Sequence, residues 1–244
     1  MPPKKQETMS NPYFQFKQFT IYHDQCAMKV GTDGTLLGAW TPVEAAHRIL
    51  DIGTGSGLIA LMLAQRSPSA RITGIDIDEA AIRQARSNAA ASSWGQRIEM
   101  VCKDICRLGA RQGRYDVVVS NPPYFVERVA CPDAARHAAR HTDSLSFEQL
   151  LLAVDNLLTE DGTFSVVLPA DACNEFLATA LHHQLYLHHQ TWVHTRPAKP
   201  AKRVLMTFVR HPVATQTDLL IIESEAGVYS PEFIRLLKDF YIKL

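Results

Sequence analysis

Short apolar runs alternate with stretches of helical periodicity along most of this chain. Ile49-Leu50-Asp51-Ile52, Arg71 to Asp76, Ile98 to Cys102, Asp116 to Ser120 and Thr163 to Leu168 read as buried strands. Between them, Leu58 to Arg66 reads as a helix with Pro68 just past its end. A second helix starts after Asp78, which is suited to its N-cap, with Ala81, Ile82, Ala85 and Ala89 spaced along it. A third runs from Phe147 to Leu158, capped by Ser146 or Ser144. The Asp161-Gly162 pair predicts a turn before the fifth strand. A helix from Asp171 to about His183 follows. Two strands near Leu185–Val193 and Val204–Arg210 have no convincing helix between them, so they predict an antiparallel edge hairpin. A short strand at Leu219–Glu223 and a helix at Pro231–Tyr241 finish the pattern.

Apolar strands alternating with helices mean a mostly parallel sheet covered on both faces, a doubly wound α/β fold. The segment before it differs. Residues 11–47 carry Phe14, Phe16, Phe19 and Tyr22 and predict a short hairpin over 14–22, then a helix from about Asp33 to Trp40. The expected organisation is a polar, disordered tail over 1–10, an extension over 11–47 that covers the cofactor site, and a catalytic domain over 48–244.

Composition narrows the class of protein. Of 244 residues, 46% are hydrophobic and 20% charged, which is the balance of a soluble globular domain. The formal net charge is zero, so any nucleic-acid contact must come from a local patch. The cysteines, at 26, 102, 106, 131 and 173, form no Cys-x-x-Cys pair, which argues against a zinc site or a disulfide framework. No metal is expected. No apolar run reaches the length of a membrane span and Met1-Pro2-Pro3-Lys4-Lys5 has no apolar core, so a cytoplasmic protein without membrane contact is expected, as a monomer.

Two motifs carry chemistry. Asp51-Ile52-Gly53-Thr54-Gly55-Ser56-Gly57 joins the first strand of the repeat to its helix. Glycines there let the backbone turn tightly and let a ligand approach closely. Asp76 ends the next strand, about twenty residues on, where a carboxylate can accept both hydroxyls of a ribose. Together they imply a nucleoside cofactor held by Asp51, Gly53, Gly55 and Asp76, with Ile77 alongside. A pyrophosphate would be repelled by Asp51, and the Gly-x-Gly-x-Gly spacing is not the usual dinucleotide pattern. A cationic amino-acid tail or sulfonium suits Asp51, which favours S-adenosylmethionine over NAD. Asp104, after the third strand, can accept from an adenine amine with Ile105 against the ring. It can equally cap a helix.

The second motif is Asn121-Pro122-Pro123-Tyr124, after the run Tyr115 to Ser120. An sp2-bound amine is a poor nucleophile because its lone pair is delocalised. The Asn121 side-chain carbonyl and the Pro122 backbone carbonyl can accept its two N–H groups and turn the lone pair outward. Tyr124 offers a ring face for a planar substrate. Asn-Pro is also a common turn dipeptide, so the motif alone leaves both readings open.

In the order Asp51–Gly57, Asp76, Asp104, Asn121–Tyr124, the chain resembles the class I S-adenosylmethionine-dependent methyltransferases. Asn-Pro-Pro-Tyr is similar to the amino-methylating members, which act on adenine N6, guanine N2 or glutamine N5. Three further stretches resemble the tRNA adenine-N6 methyltransferases: Phe16 to Phe19 through His23 to Gly34, Arg140 to Ser146, and Leu237-Lys238-Asp239-Phe240-Tyr241. The resemblance covers essentially the whole chain from about residue 12. It implies a Rossmann-like sheet of seven strands with the last antiparallel, and cofactor contacts from Lys29, Thr32 and Asp33 as well as Asn121. It also implies an adenine target beside the anticodon of a tRNA. Methylation of protein glutamine or of guanine N2 is the alternative, and a non-catalytic RNA-binding module that keeps a cofactor fold is another.

A basic stretch suits the tRNA. Between Glu175 and Asp218 no acidic residue occurs, while Arg196, Lys199, Lys202, Arg203 and Arg210 do, with Trp192 and several histidines. The ordinary alternative is a solvated edge hairpin guarded by Lys and Pro. Its tip, with Arg140 from a second cluster of Arg128, Arg136, His137 and His141, forms the candidate RNA-binding set. That second cluster is also placed to cover the site as a mobile loop.

Overall fold

The computed structural model describes residues 11–108, 114–123 and 145–244. The chain opens with an antiparallel hairpin, β1 (Tyr13–Gln15) and β2 (Thr20–Tyr22), followed by α1 (Thr32–Trp40). Then come β3 (Arg48–Ile52), α2 (Leu58–Arg66), β4 (Arg71–Asp76), α3 (Glu79–Ala90), β5 (Ile98–Cys102) and β6 (Tyr115–Ser120). The second half supplies α4 (Phe147–Leu157), β7 (Leu158–Pro169), α5 (Cys173–His182), β8 (Tyr186–His194) and β9 (Ala201–Val209). It ends with β10 (Gln216–Ile221), the ribbon β11 (Glu223–Glu225) and β12 (Val228–Tyr229), and α6 (Pro231–Leu237).

The central sheet has the order β10-β8-β9-β7-β6-β3-β4-β5. Strands β7, β6, β3, β4 and β5 are mutually parallel. β9 is antiparallel to both β7 and β8, and β10 pairs parallel with β8. The chain moves outward from β3 to β4 and β5, then returns to β6 and moves the other way. This reversal opens a crevice at the carboxyl ends of β3 and β6, where doubly wound sheets bind ligands.

Local chemistry explains the helix starts. The Asp78 carboxylate caps α3 by accepting from Ala80 N–H. Ser146 and Gln149 form a reciprocal capping box on α4. Ser230 caps α6 with Pro231 at its first position. Apolar side chains then cover the sheet on both faces. One core cluster joins the hairpin, α1, α2, α3 and α6 to the sheet through Phe16, Leu37, Leu61, Ile82 and Phe233. The other seats α4 and α5 through Leu150, Val154 and Phe176.

The structure departs from the sequence expectation in four places. The sheet has eight strands rather than seven, so the β8–β9 hairpin is not the edge: β10 covers it. Only Leu220 of β10 is buried, which leaves a weak apolar signal. Asp161-Gly162 is not a turn before a strand but lies within β7. There the register passes from Tyr115↔Leu158 to Val117↔Thr163, a bulge. Asp171 falls in a tight turn over Ala170–Ala172 ahead of α5. Finally, α6 stops at Leu237 because Tyr241 pairs as an isolated bridge with Phe16.

Candidate active site

Three carboxyl strand ends meet at the crevice. Gly53 (φ 72°), Gly55 (φ 54°) and Gly57 (φ 83°) all lie in the left-handed region that favours glycine. Gly53 N–H and Thr54 N–H donate to the Ile75 carbonyl at 2.8 and 3.0 Å, which binds the loop to the end of β4. A Cβ at Gly53 or Gly55 would meet no atom within 4 Å, so this side of the loop faces open space. Ser120 Oγ donates to the Ile52 carbonyl at 2.9 Å and fastens the end of β6 to the end of β3.

Asp51 is fully buried on β3. Its Oδ2 accepts from Thr54 Oγ1 at 2.6 Å and from Ala60 N–H, in the first turn of α2, at 3.2 Å. Its Oδ1 has no hydrogen-bond partner among the described residues. Burial pushes the carboxyl up to about 7; the Thr54 and Ala60 bonds oppose the rise, and the charge of Asp76 adds to it. An orphaned, buried carboxylate oxygen beside an open glycine cradle is a strong acceptor with no donor. These residues fit a ligand that carries a cationic group.

Asp76 ends β4. One of its oxygens accepts from Gly55 N–H at 2.9 Å and the other from Asp78 N–H at 3.0 Å. Each oxygen keeps lone-pair capacity for a diol. Ile77, beside it, is 62% exposed. Asp104 caps the turn Ile105–Arg107 by accepting from Cys106 N–H at 2.9 Å, and it lies 3.5 Å from Arg107 Nε. The capping alternative is therefore realised. Ile105 is buried among Leu50, Ile52 and Ile75 in the core.

Asn121 and Pro122 follow β6, at the strand end adjacent to Asp51. A Cβ on Gly34, in the first turn of α1, would lie 3.7 Å from Asn121 Nδ2 and 3.2 Å from Leu58 Cδ2. Gly34 thus faces the Asn121 amide across a gap that a methyl group would fill. Lys29, ahead of α1, and Thr32, its first residue, are exposed. Asp33 Oδ2 sits 2.7 Å from Arg203 Nε.

Arg196 to Arg203 lies at the same end of the sheet, because Arg203 pairs with Pro169 at the carboxyl end of β7. Much of the stretch is neutralised in space. Arg196 pairs with Glu223 at 3.0 Å and Arg210 with Asp155 at 2.6 Å. His189 Nε2 meets Asp218 at 2.6 Å. Lys199 and Lys202 make no ion pair among the described residues. Tyr124, Arg140 and the cluster from Arg128 to His141 lie outside the described residues. No group of metal-binding side chains occurs among the described residues, and no helix there is long and apolar enough to cross a membrane.

Sequence reasoning missed four residues of the site. Thr54 had a signal, a hydroxyl three places after Asp51. Gly34, Ser120 and Asn88 had none, because their roles depend on contacts between elements. Asn88 is buried in the last turn of α3; its Nδ2 donates to the Tyr22 and Ser56 carbonyls at 2.8 and 2.9 Å, tying the hairpin to the glycine loop.

Known proteins resemble this chain in sequence and in fold. The family model described as methyltransferase small domain matches residues 26–187. A tRNA1(Val) (adenine(37)-N6)-methyltransferase of Phocaeicola vulgatus is 52% identical over 236 residues, covering 97% of this chain and 100% of that protein. The Yersinia enterocolitica protein of the same name is 47% identical, covering 98% of this chain and 96% of that one. Among solved structures, a predicted O-methyltransferase of Agrobacterium tumefaciens superposes with a TM-score of 0.67 at 22% identity, over 85% of this chain and 96% of that one. The glycopeptide N-methyltransferase MtfA, solved with S-adenosylmethionine, gives a TM-score of 0.54 at 14% identity, over 75% of this chain and 100% of that one, which speaks to the fold. With this identity over nearly the whole chain, the chain belongs to the tRNA1(Val) (adenine(37)-N6)-methyltransferase family of small-domain methyltransferases.

Proposed function

We propose that this enzyme transfers a methyl group from S-adenosylmethionine to the exocyclic N6 of adenine 37 in tRNA1(Val), acting as a monomer in the cytoplasm. The observation that carries the reading is the placing of Asn121-Pro122 at the strand end next to the orphaned Asp51 carboxylate, in a chain 52% identical to such enzymes. Asp76 would accept from the ribose hydroxyls, Asp51 would face the cationic end, and the glycine loop would line the cofactor's approach. Bound there, the cofactor supplies an electrophilic methyl on a sulfonium.

The rest of the work falls to the chain. Asn121 Oδ1 and the Pro122 carbonyl accept the two N–H groups of the adenine amine and hold its lone pair toward the cofactor. Tyr124 stacks on the base once it is turned out of the anticodon loop. No side-chain base is required before attack, and the amine proton leaves to solvent afterward. Lys199 and Lys202 contact tRNA phosphates from the same end of the sheet.

The test is to incubate the protein with methyl-labelled cofactor and unmodified tRNA1(Val), then digest and map the product. Label in N6-methyladenosine at position 37 is expected. Label in a guanine, or only in a protein glutamine when release factors are supplied, would overturn the reading.

A further inference from the structure

Asp33 and Arg203 stand 170 positions apart yet meet at 2.7 Å through Oδ2 and Nε. Their side chains are only 28% and 33% exposed, so water screens the pair less than an ordinary surface bridge. Each end is anchored. Arg203 sits on β9 opposite Pro169, and β7 is the neighbour of β6, whose end carries Asn121. Asp33 lies in the first turn of α1, where a carboxylate also suits the helix dipole. The next residue, Gly34, faces the Asn121 amide across a gap that a methyl group would fill.

We propose that Asp33 and Arg203 are positioning residues for methyl transfer, their ion pair setting the first turn of α1 against Asn121. The proposal rests on Asn121 as the residue that orients the target amine. It gives Arg203 a different role from Lys199 and Lys202. A carboxylate at hydrogen-bonding distance partly neutralises the guanidinium and discourages a phosphate there, whereas the two lysines are without such partners among the described residues. It also gives Asp33 a partner within the protein in place of a cofactor group.

The experiment compares Asp33→Asn and Arg203→Lys with the parent. Lysine keeps a point charge adequate for phosphate but loses the planar donor fork that meets Asp33. Single-turnover methylation at saturating cofactor and tRNA is expected to fall ~10–100-fold in each, as for a small misplacement of a reacting group. The double variant is expected to be no slower than the slower single. The reversed pair, Asp33→Arg with Arg203→Asp, is expected to recover part of the rate. Affinity for tRNA and its salt slope are expected to stay within about twofold of the parent. The side-chain amide signal of Asn121, identified in the nitrogen–proton NMR spectrum by its loss in Asn121→Ala, is expected to move in both singles. Arg203→Lys with the parent rate and an unmoved Asn121 signal would overturn the proposal. So would a lowered salt slope in Arg203→Ala that Asp33→Asn does not share, since that marks a phosphate ligand. A parent protein inactive on tRNA would overturn the functional reading instead, and the Asn121 signal would still report on the pair.

Discussion

Burial of Asp51 with one oxygen unmatched ties cofactor binding to pH. Its carboxyl rises from an ordinary 3.8 to about 7, chiefly through burial. Between those values the unfolded chain has released the proton while the folded, ligand-free protein retains it. The folded state therefore binds more protons, and this residue makes stability fall as pH rises through that window. A cation beside Asp51 reverses the preference and favours the carboxylate. Binding of S-adenosylmethionine at about pH 6 is thus expected to release a proton, and affinity is expected to rise with pH and level off above about 7. Calorimetry in buffers of different ionisation heat measures the proton directly. Asp51→Asn is expected to abolish its release, and a parent that releases none would remove the cation from Asp51. Asn121 makes a separate demand. Asn121→Ala is expected to keep cofactor and tRNA affinity but to slow single-turnover methylation by about a hundredfold, roughly 3 kcal/mol, as when one preorganised polar contact is lost from a site. A parent-like rate would reduce the motif to a turn.

The elements that sequence predicted well are those whose signals are local. α2, β4 and β5 fall where the apolar runs and caps place them, since a buried strand or an amphipathic helix reports its own periodicity. Asp51, Asp76 and Asn121 were legible for a related reason: each sits at a strand end, and parallel strands bring their ends together. What escaped depends on neighbours distant in sequence. The strand read at Leu219–Glu223 is β10 (Gln216–Ile221), but its place outside β8 escaped, because it buries little and is held there by pairing with β8. The Asp33–Arg203 pair bridges two elements that nothing local connects. The basic hairpin shows the same limit, because its stretch lacks acids only along the chain. In space Glu223, Asp33, Asp218, Asp155 and Glu160 reach it. Lys199 and Lys202 thus become the phosphate candidates. Replacing both with alanine is expected to weaken tRNA binding and to lower the slope of log affinity against log salt by about 1.5. Cofactor affinity is expected to stay the same. Filter binding across a salt series checks this, and an unaltered slope would return the hairpin to plain solvation.

Across the whole molecule, the hairpin and α1 share the core cluster of the catalytic sheet. Phe16, Phe19 and Ile21 are buried in the cluster that also holds Leu237, Phe240 and apolar side chains of α2 and α3. Phe16 stacks on Phe19 at 4.6 Å, and Lys17 N–H donates to the Phe240 carbonyl at 2.8 Å. His23 is buried too: its Nδ1 accepts from Val30 N–H, and its Nε2 therefore donates to the Asn11 carbonyl. Asn88 carries the connection onward to the glycine loop at Ser56. A cover merely resting on a finished domain would be removable; these contacts make the segment part of the fold. Burying an apolar side chain of this size stabilises by about 1.5–3 kcal/mol, so the three together contribute roughly 5–9 kcal/mol. That is comparable with the whole stability of a typical domain, about 5–15 kcal/mol. A chain beginning at His23 is therefore expected to show no cooperative unfolding transition, while a chain beginning at Asn11, which keeps every contact named here, serves as the reference. Phe16→Ala tests the same point with one side chain and is expected to cost about 3–5 kcal/mol, read from the shift in denaturation midpoint. If the chain beginning at His23 unfolds cooperatively at the reference midpoint, the N-terminal segment is a separable cover and the core is complete without it.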